Sequence, residues 1–285
     1  MTTAVHIWWT ALRIAAALNI AAWTVSAAAL TSRRDRFPAA EYRWRRLLLW
    51  LSAGYVAGCA FRSFLPRIDL ERICLAATPL SSMTVGRSVA TAAELCFIAQ
   101  CALLLHRAGR GADSKFAVAV SLLLFPLIVI AEGASWYAIL STNYLGHVAE
   151  NSLWTFCAVL LLASFFSLWP HSSRPQRRFL AAMIIFTIGY VAFMAGIDLP
   201  MYWSRWTTEL TAGVKYLSLT QGLRDASRQC IVSFDWEVWH EEIPWMTLYF
   251  TAAVWVSIAL PHAPAWLNGA LGQTPAKAGR RAAGN

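Results

Sequence analysis

Seven stretches of this chain are long and apolar enough to cross a bilayer, and that repetition restricts the fold more than any other feature. The runs are about His6–Leu30, Leu47–Leu65, Arg87–His106, Phe116–Leu140, Glu150–Trp169, Phe179–Met201 and Pro244–Leu260. A hydrocarbon core ~30 Å thick takes ~20 helical residues. Within it backbone polar groups must pair among themselves, which favours helices. We therefore expect an all-α fold: a polytopic membrane helix bundle of about seven transmembrane helices over residues 1–262. The tail, 263–285, reads as a disordered cytoplasmic extension. Only 14% of residues are charged, against ~25% in soluble domains. The longest non-apolar segment, about 40 residues, is marginal as a separate domain.

The first run has its arginines after it rather than before it, and it is long, so it reads as a retained helix rather than a cleaved signal peptide. The loops after runs one, three and five, together with the tail, hold 15 of the 24 basic residues and 3 of the 15 acids. The positive-inside rule then puts the N-terminus outside and the C-terminus in the cytoplasm. The expected location is the cell (plasma or inner) membrane, with membrane lipids as partners. The net charge of +9 sits in short clusters between apolar runs, a topology signal rather than a nucleic-acid footprint.

Of six cysteines, Cys74 and Cys230 are the two in non-cytoplasmic loops, and we expect a disulfide between them. The segment 202–243 is too long for a free connection. It is expected to be ordered on the outer surface, with a helix near 208–228. Its end, SFDWEVWHEEIPWM, crowds acids, a histidine and tryptophans at the mouth of run seven.

Ionisable groups in hydrocarbon cost at least ~2.5–3.5 kcal/mol each and usually face a bundle interior. Here Arg62, Glu94, Glu132, Glu150 and Asp198 all lie in the outer halves of their runs. Arg87, Thr91 and Glu94 share one helical face, as do Glu132, Ser135 and Trp136, and Asp198, Tyr202 and Arg205. One outward-facing polar pocket is expected. Its candidate catalytic residues are Glu94, His240, Glu242, Glu132 and Asp198, and its candidate substrate-binding residues are Arg62, Arg87, Trp136, Tyr202 and Trp239. His147, Glu150 and His240 offer ligands for a divalent metal such as zinc. Structural pairing of Glu94 with Arg62 or Arg87, and an aromatic belt for the tryptophans, account for parts of the same pattern.

Three functions fit. The first is a membrane-embedded enzyme acting on a lipid or lipid-linked substrate; a phosphate-handling variant would use Arg62, Arg67, Arg72 and Arg87. The second is a transporter or channel using buried carboxylates, although the inner half offers few polar stepping stones beyond Asn19, Gln100 and Ser121. The third is a seven-helix sensor or assembly protein. No lysine lies in run seven for a retinal Schiff base. WHEE departs from the HExxH zinc pattern.

Overall fold

The computed structural model describes residues 2–266. Seven helices are long and apolar enough to cross a membrane: Thr3–Ser32, Ala39–Phe64, Met83–Gly111, Lys115–Ser141, Leu145–His171, Arg174–Thr211 and Ile243–His262. We call them spans one to seven. The chain is an all-α, multi-pass membrane protein. Polar residues set the helix ends. Ser82 accepts a bond from Val85 N at the start of span three, Ser114 does the same from Ala117 N for span four, and Ser173 with Gln176 forms a capping box for span six.

Spans one to six pack as successive neighbours, and span seven returns against spans one and two. Spans four and five approach closely because Gly146 has no side chain; a Cβ there would stand 2.5 Å from Ala134 O. Span six leans on span five, and a cleft separates it from span seven. Both of these spans contain a π-turn, Met194–Asp198 in span six and Tyr249–Ala253 in span seven. Asn19 Nδ2 donates to Phe250 O at 2.8 Å, giving that turn a partner from span one.

Span six continues past Met201, where the hydropathy pattern ends it, to Thr211. Residues 208–211 therefore belong to this span, and the outer helix is shorter than the sequence suggests, Leu219–Ala226. The turn between them uses Gly213 at φ +65°. A small sheet closes the end of the bundle expected to face outward, here called the outer end: β1 (Arg67–Ile68) pairs antiparallel with β2 (Ile73–Cys74), and β2 pairs parallel with β3 (Ile231–Val232). Cys74 and Cys230 are bonded beside it, with Cα atoms 5.8 Å apart.

At the opposite end Arg45 donates to Glu41 at 2.6 Å and to the carbonyls of Pro261 and Ala263 at 2.8 and 2.9 Å. Arg107 also bonds Glu41 and lies over the Trp44 ring. Ordered packing continues through Trp266, which is buried against Phe179. The tail expected to be disordered is thus packed over 263–266, and the rest of it lies outside the described residues.

Candidate functional site

A cavity of about 500 Å³ runs between spans three, five, six and seven. Its two ends differ in chemistry. At the outer end it is lined by Arg62, Arg67, Arg87, Glu94, His147 and Glu150, with Asp198, Arg205 and Glu242 across from them. Toward the inner end the wall becomes apolar, with Leu105, Ala158, Leu161, Phe165, Met183 and Val256. Span four contributes nothing to the wall.

Arg87 is the electrostatic centre. Its Nη2 donates to Glu132 Oε2 at 2.6 Å and to Glu94 Oε2 at 3.2 Å, and Nη1 lies 3.3 Å from Glu150 Oε1. All four side chains are buried. Three carboxylates therefore share one guanidinium, and burial makes any unpaired charge costly. Thr91 Oγ1 donates to Glu132 Oε2 at 2.6 Å and accepts from Trp136 Nε1 at 3.1 Å. Oxygens of Glu94, Glu132 and Glu150 lie within 4.8 Å of one another, close enough to hold one cation. The positive charge among them is already supplied by Arg87.

His147 stands one turn before Glu150 on span five, with Nδ1 2.7 Å from Glu150 Oε2. With Nδ1–H donating to the carboxylate, Nε2 keeps its lone pair. Nε2 has no hydrogen-bond partner among the described residues, and the residue lines the cavity. Asn151 Nδ2 donates to Asp198 Oδ2 at 2.7 Å, while the Tyr202 ring lies 5.0 Å from the His147 ring.

Arg205 gathers a second acidic group, with Glu242 and Glu241 both at 2.6 Å and Glu71 at 3.8 Å. Trp245 Nε1 donates to Glu242 Oε2 at 2.5 Å. Tyr144 OH donates to Glu71. Burial raises the Glu71 carboxyl above its usual range, against the stabilising bond from Tyr144, and burial followed by the Glu71 charge raises the Tyr144 phenol.

The third group is cationic. Arg62 and Arg67 share Asp69, at 3.8 and 3.1 Å. Burial pulls the Arg67 guanidinium down to about 10, with Asp69 opposing that shift.

Several expected site residues lie elsewhere. His240 bonds the Trp236 carbonyl at 3.2 Å and stacks on that ring, away from His147 and Glu150, so the expected metal set is not assembled. A short helix, Trp236–Trp239, turns His240 back on its own segment. Trp239 is fully buried beside Trp8 and donates to Ser233 O at 2.9 Å. Trp136 is held by Thr91, and Glu132 reaches Arg87 from span four, so neither lines the cavity. Arg72 bonds Asp225 and the carbonyls of Asp69 and Ile139, which removes it from the arginine set. The residues that sequence reading left out are Asp69, Glu71, Tyr144 and Asn151; they sit in loops or at span ends, where polar residues are ordinary. No known family model, curated protein or solved structure matches this chain.

Proposed function

We propose that this protein is a membrane-embedded enzyme that acts on the head group of an amphiphile. The observation that carries this reading is the two-ended cavity: His147 on Glu150 among arginines and carboxylates at one end, and a long apolar reach at the other. Each methylene buried along such a wall is worth ~0.8 kcal/mol. In this reading Glu150 orients His147, and His147 Nε2 takes the proton of a water molecule that attacks an ester of the head group; the ester bond breaks and the departing alkoxide leaves as the alcohol with that proton. Glu94, hydrogen-bonded to Arg87 and open to the cavity, is the second acid–base group.

The bond between Cys74 and Cys230 beside the polar end supports an oxidising compartment there. It agrees with the charge count that puts the N-terminus outside and the tail in the cytoplasm of a cell membrane. A transport path has less support. Asn19 is spent on Phe250 O, Gln100 on Leu48 O and Ser257, and Ser121 on His106.

The test is to incubate the purified chain with a total membrane lipid extract and follow the lipids by mass spectrometry. One lipid class should be converted by the wild type. His147→Gln and Glu150→Gln should slow the conversion by roughly 10²-fold or more while remaining folded. If no lipid changes and none co-purifies, the reading fails.

A further inference from the structure

We infer that Arg62 and Arg67 form a binding site for a phosphate-bearing head group at the outer end of the cavity. The inference rests on the amphiphile reading above for the tail, but the anion site itself stands on separate observations. Both guanidiniums line the cavity and both residues are more than nine-tenths buried. They share one counter-charge, Asp69, so the group carries a surplus positive charge out of water.

Their hydrogen-bonding capacity is mostly unused. Among the described residues Arg62 makes no hydrogen bond, and its Nε is buried without a partner. Its contacts are the faces of Trp245 and Phe250, each 5.7 Å from Cζ. Arg67 donates Nη1 to Ser82 O at a long 3.4 Å, its Nε faces Asp69 Oδ1 at 3.1 Å, and its Nη2 is buried without a hydrogen-bond partner. Buried guanidinium donors normally find acceptors, since leaving them bare is costly. Arg87 and Arg205 are different, because acids already occupy them.

Two buried forks with free N–H groups and one shared carboxylate suit a tetrahedral, multiply charged oxyanion. The anchoring is built into the backbone as well: β1 carries Arg67, and Gly86 leaves room for its guanidinium. The site lies in the same cavity as His147, so a bound phosphate presents its attached groups to the acid–base cluster.

The experiment is native mass spectrometry of the full chain in detergent, titrated separately with dioleoyl phosphatidic acid, dioleoylglycerol and pyrophosphate. Phosphatidic acid should bind at least about tenfold more tightly than dioleoylglycerol, which has the same tails without the phosphate. Arg62→Gln should remove that preference, Arg62→Lys should keep part of it, and Asp69→Asn should increase it. A thermal melt on each variant confirms folding, and Asp69→Asn keeps the test open should Arg62→Gln not fold. Equal binding of both lipids, with Arg62→Gln and Asp69→Asn without effect, overturns the anion site and leaves the amphiphile reading standing. Pyrophosphate binding that depends on Arg62, without lipid binding, supports the anion site and assigns it to a free phosphate. No binding in any arm overturns both.

Discussion

Gly86 and Arg67 occupy one space: a Cβ built on Gly86 would stand 1.2 Å from Arg67 Cζ. The guanidinium lies in the notch that the missing side chain leaves at the first turn of span three. Gly86→Ala should therefore displace Arg67 while the helix itself persists, since alanine favours helix. The expected result is a loss of roughly tenfold in affinity for phosphatidic acid, with little change in circular dichroism. Wild-type affinity in that variant would mean that the guanidinium relocates at no cost and that the notch has no role in binding.

Arg87 is the only cation within bonding distance of Glu94 and Glu132 among the described residues. Removing one partner of a buried ion pair typically costs ~3–5 kcal/mol. Arg87→Gln should fall at or above that range, seen as a large drop in melting temperature in detergent. Arg87→Lys should lie between, because a single ammonium cannot reach three carboxylates in the planar geometry of a guanidinium. A melting temperature within a degree or two of wild type for Arg87→Gln would refute this account of the cluster.

The bond between Cys74 and Cys230 closes a loop with a sequence separation of 156 residues. Reduction, or Cys230→Ser, should lower stability by about 2–4 kcal/mol. Non-reducing electrophoresis of protein purified without reductant should show one faster-migrating species that slows on reduction. Identical mobility before and after reductant would mean that the thiols are free.

Glu71 provides a pH signature. Its carboxyl is raised above the ordinary range by burial, and about a third of the side chain (33%) remains open, which limits the shift. A raised folded-state value means that the fold binds the Glu71 proton more tightly than the unfolded chain does. The stability this contributes is complete below the ordinary carboxyl value and is lost as pH rises through the raised value. Glu71→Gln should melt at or above wild type near neutral pH, and the difference should vanish in acid. A variant that is less stable at neutral pH than at acid pH, relative to wild type, would reverse the sign and refute the assignment.

The spans and the clustering of Arg62, Glu94, Glu132, Glu150 and Asp198 toward one end of the bundle were readable from sequence, because hydropathy and depth along a helix are local properties. Which of these groups share a cavity was not. Glu132 and Glu94 occupy equivalent depths, yet only Glu94 sits on a span that lines the wall. The two histidines show the same limit. His240 stands among acids in sequence, but the short helix at Trp236 turns it onto a carbonyl, while His147 reaches Glu150 by ordinary i, i+3 spacing. Asn19 and Gln100 resemble steps of a pathway when read singly. In the fold they bond carbonyls of other spans. The location of Cys74 and Cys230 outside the spans was visible, whereas their adjacency depends on the pairing of β2 with β3, for which two-residue strands leave no sequence pattern.

That small sheet and its cystine also fix one wall of the cleft. They tie the segment after span two to the segment before span seven, and span seven is seated against spans one and two. These elements make one fixed frame. Span six packs along span five and is clasped to this frame at both ends, by Arg205 on Glu241 and Glu242 and by Gln176 and Phe179 on Ala265 and Trp266, with a π-turn at Met194–Asp198 between. Between those two clasps spans six and seven stand apart, so the cleft is a slot held closed at both ends.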